Sequence, residues 1–168
     1  TLLEAGTALS SSLELEQVLD TIMDWACRIF KAGASSLLLI DEATNTLYFK
    51  TATGEQREEL KRIRMKMGEG IAGWVAEHNE PLIVNDARSD ARHAKEIPDT
   101  LGFSTRNILC VPLTIGGKVI GVIEVLNKLK GDFNQGDQEA LLILSRNIST
   151  ALENARRFES VQTESERF

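Results

Sequence analysis

A pair of glycines between two strand-like segments is the feature that most limits how this chain can fold. Gly116-Gly117 separates the apolar runs Ile108–Ile115 and 118–126. Glycine adopts positive φ without a Cβ clash, so two adjacent glycines favour the two-residue turn of a β-hairpin. Both runs are apolar at nearly every position, which is typical of strands covered on both faces. The sequence predicts that this hairpin lies at the centre of one antiparallel sheet.

The composition argues against several classes of partner. The chain has 168 residues, 42% of them hydrophobic, and a formal net charge of −6. An acidic globular body is not attracted to nucleic acid or to an anionic membrane surface, so we expect contact with neither. The apolar runs are shorter than the roughly 20 residues that span a bilayer. The two cysteines, Cys27 and Cys110, each stand alone, one in a helix pattern and one in a strand pattern. We interpret them as buried thiols in a reducing compartment, and we therefore expect a cytoplasmic protein.

The rest of the chain alternates between helix and strand patterns. Three serines at 10–12 predict a helix break, with 1–12 as the end of a connecting helix from upstream. The predicted helices are 13–31 and one that starts near Gln135, and the other predicted strands are 34–41, 46–53, 62–67 and 81–85. Together these elements predict an α+β fold, in which a six-stranded antiparallel sheet carries the N- and C-terminal helices on one face.

Two further segments are candidates for binding. Segment 68–76, GEGIAGWVA, places glycines before a short helix. The first backbone N–H groups of that helix could bind an anion, or the glycines could simply let the helix pack close to the sheet. Segment 86–102 is a long polar loop of the kind that often covers a binding site. Its His93 either contacts a ligand or an iron, or is a solvated loop histidine.

Catalytic constellations are missing from the sequence. It has no Ser-His-Asp arrangement at a nucleophile elbow, no phosphate-binding P-loop and no pair of histidines at metal spacing.

Glu124 is the one unusual group, a carboxylate within the covered strand VIGVIEVL. Burial of a carboxylate costs several kcal/mol unless it is hydrogen-bonded, so Glu124 either meets a structural partner or faces a pocket. Lys128 and Asp137 flank the following turn and could pair across it. These features indicate a non-catalytic binding module.

The last helix extends past the predicted domain. Its apolar residues alternate spacings of three and four, which is the pattern of a coiled-coil seam: Leu141, Leu144, Ile148, Ala151, Ala155 and Phe158. Part of this seam covers the chain's own sheet. The apolar residues in the charged tail favour a partner helix, so we expect a homodimer through the C-terminal and N-terminal helices. Residues 154–168 are then an outgoing helix.

Several motifs together resemble the GAF domain, a sensory fold of cyclic-nucleotide phosphodiesterases, cyclases and histidine kinases. The motifs are GEGIAGWVA (68–76), GFSTRNILCVPL (102–113) and VIGVIEVLNK (119–128). The last one leads into a signature of cyclic-nucleotide-binding members, of which Asn127, Lys128, Phe133 and Asp137 match, while Gln138 stands where Glu is expected. In the family, the Lys and Asp of this signature form a structural salt bridge. The resemblance covers about residues 13–153.

The resemblance also implies a ligand site. In cyclic-nucleotide binders the corresponding positions contact the ligand, and here they are Ser36, Ile71, Ala72, Thr105 and Glu124. The sequence departs from nucleotide-binding relatives at other contact positions: Ala52, Thr53, Ala94, Pro98 and Leu101. The resemblance therefore implies a pocket under the 86–102 loop, with cAMP or cGMP as possible ligands. It implies no bilin, because 86–103 contains no cysteine, and no methionine-sulfoxide reductase, because only two cysteines are present.

Three hypotheses follow from the residues and the resemblance. The first is a regulatory sensor domain of residues 13–153, in which a small molecule orders the loop and the terminal helices signal to an output domain of the same chain. The second is a ligand-free homodimerisation scaffold with a filled core in place of the pocket. The third is a redox or gas sensor that uses His93 or Cys110.

Overall fold

Six strands and four helices build the described part of the chain. The structure, a computed structural model, describes residues 2–53, 57–92 and 105–167, and the side chains of 14–53, 58–92 and 105–157. The strands are β1 (Ala32–Asp41), β2 (Thr46–Ala52), β3 (Arg64–Lys66), β4 (Leu82–Val84), β5 (Ile108–Ile115) and β6 (Lys118–Lys128). The helices are α1 (Leu2–Phe30), α2 (Arg57–Leu60), α3 (Gly70–His78) and α4 (Gln135–Arg167), with a 3-10 turn at Ala87–Ser89.

The six strands form one antiparallel sheet in the order β3-β2-β1-β6-β5-β4. The predicted α+β class and the six-stranded sheet are therefore confirmed. The glycine turn between β5 and β6 has the expected backbone, with φ of 59° at Gly116 and 81° at Gly117. β6 lies at the centre of the sheet beside β1, whereas β5 is one strand from the edge. The hairpin thus supplies only one of the two central strands.

The two faces of the sheet are covered by different elements. α1 and α4 pack on one face, over alternate strand residues such as Leu37, Val111 and Ile123. α3 packs on the opposite face, over the residues between them, such as Leu38, Cys110 and Val122. The prediction that both terminal helices share one face is confirmed. Side chains of a strand alternate between faces, so Glu124 lies on the α3 face together with Val122 and Leu126. The register shift between β5 and β6 near Gly121 places Ile120 on the other face.

Helix α1 does not break at the serines. It runs without interruption from Leu2 to Phe30, so the predicted break at 10–12 is wrong. Serine is only a few tenths of a kcal/mol less favourable than alanine in a helix, and three serines do not outweigh the helix-forming residues around them. Helix boundaries in this segment therefore cannot be read from the serines alone.

Helix α4 begins at a reciprocal cap and then follows the sheet. The backbone N–H of Asp137 donates to Asn134 Oδ1 (3.0 Å), and the N–H of Asn134 donates to Asp137 Oδ2 (3.1 Å). Leu141 and Ile148 are fully buried against the chain's own sheet. The first half of the predicted seam is therefore not available to a partner helix. Phe158, at its end, has a side chain outside the described residues.

Candidate functional site

A row of three side chains crosses the centre of the sheet on the α3 face. Ser36 on β1 pairs with Glu124 on β6, and Glu124 pairs with Cys110 on β5. All three side chains are buried, and Ser36 Oγ donates a hydrogen bond to Glu124 Oε1 over 3.3 Å. The structure thus brings together two of the predicted site residues that are far apart in sequence. The row also adds Cys110, which sequence reasoning considered only for redox sensing.

The first turn of α3 lies over this face of the sheet. Ile71 and Ala72 are its second and third residues, and both are fully buried in the same apolar cluster as Val122 and Leu126. Backbone N–H groups of a first helical turn point out of the helix end, where the helix dipole favours negative charge. α3 contains no acidic residue in this turn. The helix dipole therefore favours an anionic group at this turn. The N-cap residue Glu69 is itself acidic, and its carboxylate accepts from the N–H of Lys66 (3.0 Å).

Gly73 fixes how closely this helix approaches the chain before it. A Cβ at Gly73 would lie 2.9 Å from the carbonyl oxygen of Lys66 and 3.0 Å from backbone atoms of Gly68. Gly68, with φ of 83°, also donates its N–H to the carbonyl of Gly73 over 3.0 Å. Gly68 and Gly73 therefore let the start of the helix pack tightly against the end of β3 and the turn that follows it. This packing also holds the first-turn amides in place, so it does not exclude the anion interpretation.

The remaining predicted contacts lie at or beyond the limit of the described chain. Thr105 is buried, and no described residue is within hydrogen-bonding distance of its Oγ1. His93 lies outside the described residues, together with the loop positions Ala94, Pro98 and Leu101. The structure therefore brings Ser36, Glu124, Ile71 and Ala72 to one face of the sheet, with Thr105 buried just before β5.

The signature residues after β6 form a compact polar network. Lys128 Nζ lies 2.7 Å from Asp137 Oδ2, and the two side chains are 16% and 20% exposed. Asn107, which is fully buried, accepts from the N–H of Lys128 through its Oδ1 (2.9 Å) and donates from Nδ2 to the carbonyl of Gly131 (3.4 Å). Arg106 donates to the carbonyls of Lys128 and Gly131. This network joins the chain next to Thr105 to the cap of α4.

Sequence reasoning missed an aromatic contact at the end of α3. The rings of Trp74 and His78 stack with centroids 4.2 Å apart, and the guanidinium of Arg92 lies 5.1 Å from the Trp74 ring centroid. Asp90 pairs with Arg92 (2.6 Å), and this hydrogen bond raises the pKa of Arg92 above its usual range. Arg92 therefore stays charged over the indole. The signal in the sequence was the spacing of four between Trp74 and His78, which puts both rings on one side of a helix.

The described ranges contain neither a cluster of metal ligands nor a membrane-spanning helix. No group of three or more His, Cys, Asp or Glu side chains in 14–53, 58–92 and 105–157 is arranged to hold a metal ion. Within the described chain, no helix combines the length and the apolar character needed to cross a membrane.

Comparison with known proteins agrees with this geometry. A family model described as GAF domain matches residues 12–153. The probable 3',5'-cyclic phosphodiesterase pde-5 of Caenorhabditis elegans is 30% identical over 165 residues, which is 93% of this chain and 23% of that protein. This chain belongs to the GAF domain family. GAF domains are regulatory and non-catalytic, and they occur in multidomain proteins.

A second phosphodiesterase is similar to this GAF domain in sequence, and a bacterial GAF domain is similar to it in fold. The dual 3',5'-cyclic-AMP and -GMP phosphodiesterase 11 of Drosophila melanogaster is 36% identical over 118 residues, covering 69% of this chain and 8% of that protein. The GAF domain from a phosphoenolpyruvate-protein phosphotransferase of Coxiella burnetii has a TM-score of 0.79 at 21% identity, with 94% of this chain and 96% of that one covered. The chain spans less than a quarter of the length of either phosphodiesterase.

Proposed function

We propose that this GAF domain is a regulatory sensor that binds a cyclic nucleotide, cAMP or cGMP, on the α3 face of its sheet. Ser36, Glu124 and Thr105 contact the base or ribose, and the amides of Ile71 and Ala72 contact the phosphate. His93 is a further candidate contact. The terminal helices α1 and α4 then carry the change to an output domain of the same chain, in a cytoplasmic homodimer.

The observation that carries this proposal is the buried Ser36–Glu124 pair on the face of the sheet that α3 covers. A hydroxyl and a carboxylate within a covered sheet are costly to bury, and Glu124 lies among Cys110, Val122 and Leu126 rather than at a surface. A polar group of a ligand at this position would meet hydrogen-bonding side chains within an otherwise apolar face. Hydrogen bonds to a buried polar group also reject ligands that lack the matching donor, which gives the site selectivity.

The cyclic-nucleotide ligand is supported by the relatives. The C. elegans relative is named a probable 3',5'-cyclic phosphodiesterase and the Drosophila relative a dual cyclic-AMP and -GMP phosphodiesterase. An anionic cyclic phosphate suits a helix N-terminus without acidic residues in its first turn.

A thermal-shift titration with cAMP and with cGMP tests the proposal. A ligand at 100 times its dissociation constant stabilises the chain by about 2.7 kcal/mol, which raises Tm by about 5–10 °C for a domain of this size. Ser36→Ala should reduce this shift. The matched control is Ser145→Ala, because Ser145 is equally buried, at 4% exposure, but lies on α4 on the opposite face. Flat titrations with both nucleotides would overturn the cyclic-nucleotide proposal.

A second candidate function is the ligand-free homodimerisation scaffold. It is favoured by the apolar cluster on the α3 face, in which Ile71, Val75, Ile108 and Leu126 are all buried. A scaffold would show no stabilisation by either nucleotide and would still assemble as a dimer. The same titration, combined with a measurement of mass in solution, separates the two functions.

A further inference from the structure

Helix α1 carries two apolar stripes, and the sheet covers only one of them. The covered stripe is buried in the core and consists of Leu19, Met23, Ala26 and Phe30. The second stripe begins at Leu15 and continues one residue before each member of the first, with Val18, Ile22, Trp25 and Ile29. One residue corresponds to about 100° around a helix, so the second stripe lies beside the first and turns away from the sheet.

The second stripe is largely open. Val18, Trp25 and Ile29 are 47%, 60% and 63% exposed, and Leu15 and Ile22 only partly enter the core. A groove of about 480 Å³ runs along it, lined by Glu14, Gln17, Val18, Thr21, Ile22 and Trp25. A contiguous exposed apolar patch that includes a tryptophan is typical of an interaction surface.

The spacing of this stripe indicates what covers it. From Leu15 to Ile29 the intervals are three, four, three and four, which is the seam of a helix that packs against another helix. A second copy of the same chain supplies a helix with the same spacing and length.

The charges beside the stripe indicate the orientation. On one flank, at intervals of seven, lie Glu14, Thr21 and Arg28, all exposed. On the other flank lie Leu19 and Ala26, which are buried in the chain's own core. In a parallel helix pair Glu14 would face the partner's buried flank. In an antiparallel pair the open flanks meet, and Glu14 of each copy lies beside Arg28 of the other.

We propose that the stripe Leu15, Val18, Ile22, Trp25 and Ile29 is the surface on which a second copy of this chain docks. The two α1 helices run antiparallel about Thr21, and two Glu14–Arg28 ion pairs, one at each end, fix the register. This inference rests on the homodimer of the proposed function and adds its surface, its orientation and its charge pairing.

Sedimentation equilibrium of the 168-residue chain, without ligand, tests the surface. Trp25→Glu places a charge within the seam and should raise the dimer dissociation constant at least about 30-fold, as at an interface hot spot. The matched control is Ile143→Glu, because Ile143 on α4 is 58% exposed but lies outside the stripe. The dimer dissociation constant of this control should stay within about twofold of that of the unsubstituted chain.

If Trp25→Glu leaves the dimer unchanged, the proposed docking surface is wrong, but the homodimer itself is not. A monomeric unsubstituted chain at about 100 μM would overturn both, because its dissociation constant would be weaker than that.

A charge exchange at low ionic strength tests the orientation. Glu14→Arg or Arg28→Glu alone creates two like-charge contacts per dimer and should weaken it about 3- to 10-fold. The double variant Glu14→Arg/Arg28→Glu restores opposite charges at both contacts and should return to within about twofold of the unsubstituted chain. If the two weakening effects add in the double variant, the antiparallel pairing is wrong. Because no nucleotide is present, neither result depends on whether the sensor site binds one.

Discussion

Ser36 Oγ donates a hydrogen bond to Glu124 Oε1 across the pairing of β1 with β6, over 3.3 Å. The two residues are 88 positions apart in the chain, and their pairing depends on the register of the two central strands. The same register sets Cys110 on the other side of Glu124. The position of this carboxylate is therefore fixed from both sides by the sheet itself rather than by a loop.

The Ser36–Glu124 pair should show energetic coupling. Ser36→Ala and Glu124→Ala each lose a buried hydrogen bond, and we expect the effects on the free energy of unfolding to be non-additive by about 0.5–1.5 kcal/mol. The two single variants and the double variant are compared by urea unfolding without ligand. Strict additivity would mean that the hydrogen bond contributes nothing to stability.

The ion pair after β6 should contribute more than an ion pair at the surface. Lys128→Ala removes the 2.7 Å contact with Asp137, which also caps α4, and should cost about 1–2 kcal/mol. Lys118→Ala is the control, since Lys118 and Glu42 pair at 68% and 69% exposure, and it should change stability by less than about 0.5 kcal/mol. Equal losses in the two variants, measured by urea unfolding, would show that the partial burial of Lys128 does not matter.

Gly121 should tolerate no side chain. A Cβ at this position would overlap the carbonyl oxygen of Leu38 on the neighbouring strand, so Gly121→Ala should cost about 3 kcal/mol or more. Gly33→Ala serves as the comparison, because its nearest atoms are 3.4 Å away, and it should stay within about 1 kcal/mol. Thermal unfolding of both variants gives the difference. A Gly121→Ala chain as stable as the Gly33→Ala chain would contradict the close approach of β1 and β6.

The pKa of Asp41 should depend on Arg64. The hydrogen bond from Arg64 (2.9 Å) lowers the pKa of Asp41 from its ordinary value of 3.8. Because the folded-state pKa is the lower one, the contact adds stability above about pH 4, and this contribution is lost as the pH falls through the folded pKa. Arg64→Gln should raise the pKa of Asp41, as followed by NMR of its carboxyl carbon.

Glu42 provides the internal reference for this titration. Its pKa is lowered mainly by Lys118, so it should not respond to Arg64→Gln. A parallel change at both carboxyl groups would point to a general rearrangement of the β1–β2 turn instead of the loss of one contact.

Local patterns predicted the elements of this fold well. Gly116-Gly117 gave the β5–β6 turn because two positive φ angles require residues without a Cβ. The sheet order and the Ser36–Glu124 register are non-local, and periodicity carries no information about them. The resemblance to the GAF domain placed Ser36 and Glu124 in one site, but it predicted neither the strand order nor the register.

The two stripes of α1 show where patterns fail. Both stripes together look like one broad apolar face over 13–31 in the sequence, and only the packed sheet separates the buried Leu19 from the exposed Trp25. On α4, Leu141 and Ile148 belong to the part of the seam that was expected to cover the chain's own sheet, and they pack there. The spacing of the seam does not show where this covered part ends. Apolar spacing identifies a face, and it does not identify what that face meets.

Helix α4 runs as one rod from Gln135 to Arg167, starting at the cap that the Lys128–Asp137 pair adjoins. Each residue of an α-helix adds about 100° of rotation and 1.5 Å of length. Deleting one residue from its exposed part would turn any segment that continues the helix by about 100°, whereas deleting seven would restore its azimuth to within about 20° and only shorten the rod by about 10 Å. The number of residues from the cap of α4 therefore determines the direction, around the helix axis, in which any segment that continues the helix would point.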